Sequence, residues 1–132
     1  MTIRFALPHE GPVIQALFQA KGLPLADWVD WVKPLAQNWL VAELDQPVGC
    51  IMLNYGTPIG RMEFLVVAPG LSRRVQAEVV RGLCYAGMEQ LSRHGSQLVA
   101  SVVSLADTSW QRVAERRGGR VIDTGHLYIK RL

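Results

Sequence analysis

The stretch Ser72-Arg73-Arg74 has the clearest chemistry in the chain, because two adjacent arginines open an apolar-periodic segment just after Ala68-Pro69-Gly70. A strand that enters a helix through a tight turn gathers unpaired backbone amides and the positive end of the helix dipole at one point, which favours an anion. A phosphate-bearing ligand is the natural occupant. Two arginines in a first turn oppose the dipole unless an anion or carboxylate neutralises them, so their placement asks for a partner. Two solvated arginines at a helix end are the plainer reading, and the local sequence leaves both open.

Two elements must position this turn. Met62-Glu63-Phe64-Leu65-Val66-Val67 is rich in β-branched and aromatic residues, which predicts a strand that Pro69-Gly70 cannot continue. Strict alternation puts Glu63 on one face with Leu65 and Val67. After the turn, Ser72 is the expected N-cap, and apolar residues recur at Val79, Val80, Leu83, Cys84, Gly87 and Leu91, a stripe for a sheet to cover. Gly82 and Gly87 weaken helix propensity, so they predict close packing. His94-Gly95 ends the helix.

The chain has 132 residues, 49% of them hydrophobic and 19% charged, which predicts one domain with a real core and argues against disorder. The apolar runs are too short for a membrane span, and the start lacks the regions of a signal peptide, so a cytoplasmic protein is expected. Cys50 and Cys84, without motif spacing, read as reduced core residues rather than metal ligands, and no metal is expected. A net charge of +3 accommodates anionic ligands but is mild. Basic residues late in the chain, Arg112, Arg116, Arg117, Arg120, Lys130 and Arg131, lack the interleaved aromatics of a nucleic-acid surface.

In chain order, Ile3 to Leu7 predicts a strand and Val13 to Lys21 a helix with Pro12 in its first turn. A second short helix is expected from Asp27, with Trp28, Trp31, Val32 and Leu35 on one face. Trp28 and Trp31 either line a substrate pocket or pack this helix pair onto the domain. Trp39 to Leu44 and Val48 to Leu53 form a hairpin, the Met62 strand makes a meander, and the central helix crosses to Leu98–Val103, which makes that last pair parallel. A capping box at Thr108 and Gln111 begins a helix closed by Gly118-Gly119, and a strand pair ends the chain around Thr124-Gly125. The order β-α-α-β-β-β-α-β-α-β-β is that of an α/β fold with a mixed sheet covered on both faces.

Over its whole length this order resembles the GNAT superfamily of acyl-CoA N-acyltransferases. Trp39-Leu40-Val41-Ala42-Glu43 with Val48-Gly49-Cys50 is similar to the family's second and third strands, Leu65-x-Val67-x-Pro69 to the end of its fourth, and Asp107 to Gly118 to its late helix. The resemblance implies acetyl-CoA as cosubstrate and an amine acceptor, either a small molecule or a protein, acetylated by direct transfer. It implies that a backbone amide around Leu65, Val66 and Val67 holds the thioester oxygen. The diphosphate of CoA would meet the window Ser72-Arg73-Arg74-Val75-Gln76-Ala77. The family's Arg/Gln-x-x-Gly-x-Gly/Ala pattern is matched there only by Ala77, with Ser72 and Val75 in place of the basic or amide residue and the first glycine. Glu63 takes the position of the acid that deprotonates the acceptor ammonium, the alternative being an ordinary ion pair with Arg61 or a neighbouring strand. The tyrosine that often protonates the departing thiolate is replaced by Ala114, which leaves Ser109, Tyr128 or water as donors. A catalytically silent module of the same fold is the competing expectation. Apolar residues near Trp28 or on the terminal strands would serve a homodimer.

Overall fold

A computed structural model describes residues 1–22, 36–101 and 108–121. It divides into two compact units, Met1–Val102 and Val103–Leu132. In the first, β1 (Thr2–Phe5), α1 (Gly11–Ala20), a single 3-10 turn (Ala36–Asn38), β2 (Trp39–Glu43), β3 (Pro47–Asn54), β4 (Ile59–Val67), α2 (Arg73–Arg93) and β5 (Leu98–Ser101) follow one another. The strands lie in the order β1-β2-β3-β4-β5. The first three pairings are antiparallel and β4 with β5 is parallel, as the crossover through α2 requires. The expected second helix, Trp28 and Trp31 included, and the closing strands beyond Val121 lie outside the described residues.

The two sheet faces are filled differently. On one, Ile14, Leu17 and Phe18 of α1 pack with Trp39, Val41, Cys50, Met52 and Val66, and the Phe18 ring meets Trp39 edge-on at 6.1 Å. α2 covers the other face with the stripe read from the sequence: Val79, Val80, Leu83, Cys84, Gly87 and Leu91 are its buried residues. The close packing expected at the helix glycines is present. A Cβ at Gly87 would come within 2.8 Å of the Met62 sulfur, and one at Gly82 within 2.8 Å of the Met1 methyl; on the facing strand, one at Gly49 would come within 2.8 Å of Val79 Cγ1. Cys50 and Cys84 are both free and buried, and burial pushes the Cys50 thiol well up.

The N-terminal strand is tied to α1 by charge. Arg4 makes two hydrogen bonds to the Glu10 carboxylate, at 2.7 and 2.9 Å, and reaches Glu43 on β2 at 2.6 Å. Glu10, 6% exposed, also accepts from the Leu7 amide at 2.7 Å. The Arg4 guanidinium holds the Glu10 carboxyl below the usual carboxylate range, against the opposing effect of burial.

One expectation fails inside β4. Glu63 pairs with Met52 while Val66 pairs with Cys50, so Ile51 alone stands opposite both Phe64 and Leu65. This is a β-bulge, and Phe64 carries it at φ 55°. The extra residue shifts the alternation, so Glu63 shares its face with Val66, Cys50 and Met52 and not with Leu65 and Val67.

The second unit contains α3 (Thr108–Arg116). Thr108 lies within this helix rather than ahead of it as a cap. Trp110 is buried, Val113 and Ala114 are half-buried, and Arg112, Glu115 and Arg116 are exposed, the division that the sequence pattern implies. Gly118 adopts φ 80° and the Gly119 amide reaches back to the Ala114 carbonyl at 2.9 Å, which closes the helix as expected.

Candidate active site

The bulge is the centre of the site. A bulky residue at positive φ costs backbone strain and persists only where the surroundings enforce it, and here the Phe64 ring is held 6.5 Å from Phe18 in an edge-on contact. Downstream, the Ala68 amide donates to the Val48 carbonyl on β3 at 2.7 Å. Strand alternation therefore turns the Val67 amide away from β3, toward the β5 side. The described ladder between β4 and β5 runs from Ile59↔Leu98 to Met62↔Ser101. At its last pair Ser101 Oγ donates to the Met62 carbonyl at 2.6 Å.

Glu63 stands one residue before the bulge, and its side chain is 20% exposed. The Asn54 amide donates to its Oε2 at 2.6 Å. Arg61 lies 3.8 Å from its Oε1, too long for a hydrogen bond, with the guanidinium side chain 65% exposed. Arg61 pairs directly with Asn54 across the hairpin. Arg61, Glu63 and Asn54 thus occupy one patch of the α1-side face. The sequence reading missed Asn54, although the short β3–β4 hairpin, once its register is counted, brings Asn54 opposite Arg61.

The turn into α2 and its Ser72 cap form as expected. Gly70 takes φ 84° in the turn after Pro69, and Ser72, extended, caps α2 by accepting from the Val75 amide at 3.3 Å. The Gln76 side chain donates to the Leu71 carbonyl at 3.0 Å, which stiffens the approach. Arg73 and Arg74 are exposed, and Arg74 meets Glu78 one turn on at 3.2 Å, an exposed i,i+4 pair of small energetic value. Val75 and Gln76 are half-buried and Ala77 is exposed. The first turn carries no acidic residue, so the charge balance asked for by the two arginines is not met within it.

Leu65, Val66, Val67 and the 72–77 window are contiguous through one turn, so the structure brings them together at the end of β4. Ala114 offers no titratable group, and the side chains of Ser109 and Tyr128 lie outside what is described. Among the described residues no group of three or more His, Cys, Asp or Glu side chains is arranged to hold a metal ion, and no helix is long and apolar enough to cross a membrane.

No family model matches the sequence, and no curated protein matches it. Solved structures do. An aminoglycoside N-acetyltransferase, AAC(6')-Iy, in complex with the bisubstrate analogue CoA-S-monomethyl-acetylneamine has a TM-score of 0.75 at 20% identity, covering 99% of this chain and 98% of that one. Diaminobutyrate acetyltransferase EctA from Paenibacillus lautus, bound to L-2,4-diaminobutyric acid and coenzyme A, has a TM-score of 0.71 at 17% identity, covering 89% and 76%. N-acetylglutamate synthase from Neisseria gonorrhoeae, with coenzyme A and N-acetyl-glutamate, has 0.67 at 19%, covering 87% of this chain and 27% of that one. The fold is therefore that of the GNAT acetyltransferases, as the order of elements in the sequence implies.

Proposed function

We propose that the chain is an N-acetyltransferase of GNAT type that moves an acetyl group directly from acetyl-CoA to a primary amine, with residues 1–132 acting as one domain. The observation that carries this reading is the bulge at Phe64, which sets a carboxylate, a turned-out backbone amide and a helix N-terminus along one strand end. The neighbours bound to coenzyme A or to a CoA bisubstrate analogue support it.

Acetyl-CoA enters as substrate. The exposed first turn of α2 and the guanidinium groups of Arg73 and Arg74 suit its diphosphate through charge-assisted hydrogen bonds. The Val75 amide is already engaged by Ser72. Without glycines the backbone cannot come as close, so charge replaces approach. An amide among Leu65, Val66 and Val67 polarises the thioester carbonyl, a role that needs no particular side chain. Glu63 takes the proton that the acceptor ammonium must lose. The freed nitrogen lone pair forms the N–C bond to the acetyl carbon, the C–S bond breaks with its electron pair going to sulfur, and the second proton that the nitrogen sheds on becoming an amide passes through water to the thiolate.

Calorimetric titration with acetyl-CoA tests the reading. Saturable binding in the micromolar range is expected, and no heat at millimolar ligand overturns it. The substitutions Val75 and Ala114 favour a second reading, a catalytically silent module of this fold, which predicts weak CoA binding and no thiol release with any amine.

A further inference from the structure

We infer that the acceptor is a zwitterion, an amine that carries a carboxylate on the same or the next carbon, as an amino acid does, and that Arg61 is the residue that selects it. The inference rests on the acetyl-transfer reading above and names the substrate class of that site.

Glu63 does not need Arg61. Its Oε2 is held by Asn54 at 2.6 Å, while Arg61 stands off Oε1 at 3.8 Å, and among the described residues it has no other charged partner. A largely exposed guanidinium that makes no hydrogen bond among the described residues, with Glu63 at ion-pair distance only, is suited to bind a planar carboxylate through two parallel hydrogen bonds. The only buried side-chain polar atom left without a partner among the described residues is another donor, the indole nitrogen of Trp39. Trp39 pairs with Met52, which pairs with Glu63, so all three share the face. Glu63 is thus the acceptor for an ammonium on a patch where Arg61 supplies donors for oxygen.

The linear order fits as well. Along β4 come Arg61, Glu63 and then the bulge at Phe64 and Leu65. In the reacting pair come the acceptor's carboxylate, its amine and then the acetyl carbonyl. An amine and a carboxylate one or two carbons apart match a cation and an anion separated by 3.8 Å. The proton of that ammonium passes to Glu63 and the nitrogen bonds the acetyl carbon as the C–S bond breaks. A polyamine would place a second cation against Arg61, which like-charge repulsion opposes.

The test is thiol release from acetyl-CoA with matched pairs that differ only in the carboxylate: L-alanine and ethylamine, L-phenylalanine and phenethylamine, L-lysine and cadaverine. The acids are expected to have kcat/KM roughly tenfold or more above their amines, from a charged hydrogen-bonded contact. Arg61→Ala should erase that preference by raising KM for the acids, and Arg61→Glu should reverse it toward cadaverine. A readout without turnover accompanies these: the acids, not the amines, should raise the melting temperature of the CoA-bound protein, and Arg61→Ala should abolish the shift. Turnover with equal preference for both members, or a preference that survives Arg61→Ala, overturns this inference and leaves acetyl transfer standing. No thiol release from any amine overturns the transfer reading and this inference with it.

Discussion

Asn54 donates its side-chain amide to Glu63 Oε2 across 2.6 Å from the neighbouring strand, and by doing so commits that oxygen to the fold and leaves Oε1 on the Arg61 side. A base must hold one lone pair in line with the proton it removes, and a carboxylate free to rotate loses that alignment. Asn54→Ala should therefore lower kcat about three- to tenfold with little effect on acetyl-CoA binding, and Glu63→Gln should lower it by roughly two orders of magnitude. The Glu63→Gln defect should be greatest below neutral pH, where an amine already deprotonated in solution is scarce. A pH–rate profile identical to that of the unmodified protein would remove Glu63 as the base.

The turn into α2 makes a separable prediction. Replacing both Arg73 and Arg74 by Ala should weaken acetyl-CoA roughly tenfold or more at low salt and by less at high salt, because exposed charges are screened. Calorimetry at two ionic strengths reads it directly, and unchanged affinity would place the diphosphate elsewhere. Val75→Gly should do the opposite, tightening the ligand by removing the side chain from the first turn while costing the helix about 0.5 kcal/mol.

Acid stability should depend on Glu10. Its carboxyl is held below the usual value of 4.5 in the folded chain, first by the hydrogen bonds from Arg4. A depressed folded value contributes stability that is fully present above pH 4.5 and is lost as pH falls through the folded value. Denaturation midpoints measured from pH 6 down to pH 3 should fall less steeply for Glu10→Gln than for the unmodified chain. At pH 7 Glu10→Ala should cost about 2 kcal/mol, less than a fully buried pair because Arg4 keeps Glu43 and partial exposure.

The α2 interface should resist added volume. At Gly49 a methyl group would meet Val79 Cγ1 at 2.8 Å and the Val66 carbonyl oxygen at 3.0 Å. The carbonyl belongs to a strand and cannot rotate away, so Gly49→Ala should destabilise by about 1–3 kcal/mol in urea unfolding.

Much of this was legible in the chain itself, for identifiable reasons. The α2 stripe was readable because a 3.6-residue period over 21 residues leaves little ambiguity, and its cap because Ser72 stands two residues after the Pro69-Gly70 break. The strand order followed from short connections and one helical crossover. The bulge was not legible. Nothing in Glu63-Phe64-Leu65 announces an extra residue, since the positive φ falls on a phenylalanine where a glycine would have signalled it. That single offset decides the company Glu63 keeps, so the face assigned by alternation was wrong. Asn54 was missed for a related reason: its contact with Glu63 depends on register, which a strand pattern alone does not state.

Among the described residues, each strand of the sheet pairs with the next one in the chain. A polypeptide leaving the ribosome can therefore lay down β1 to β4 as a growing ribbon before the long helix emerges. The parallel strand β5 is added last among these five. Nascent chains arrested after Val67 should already protect the β2–β3 amides from exchange, whereas β5 must wait for α2 to fold back.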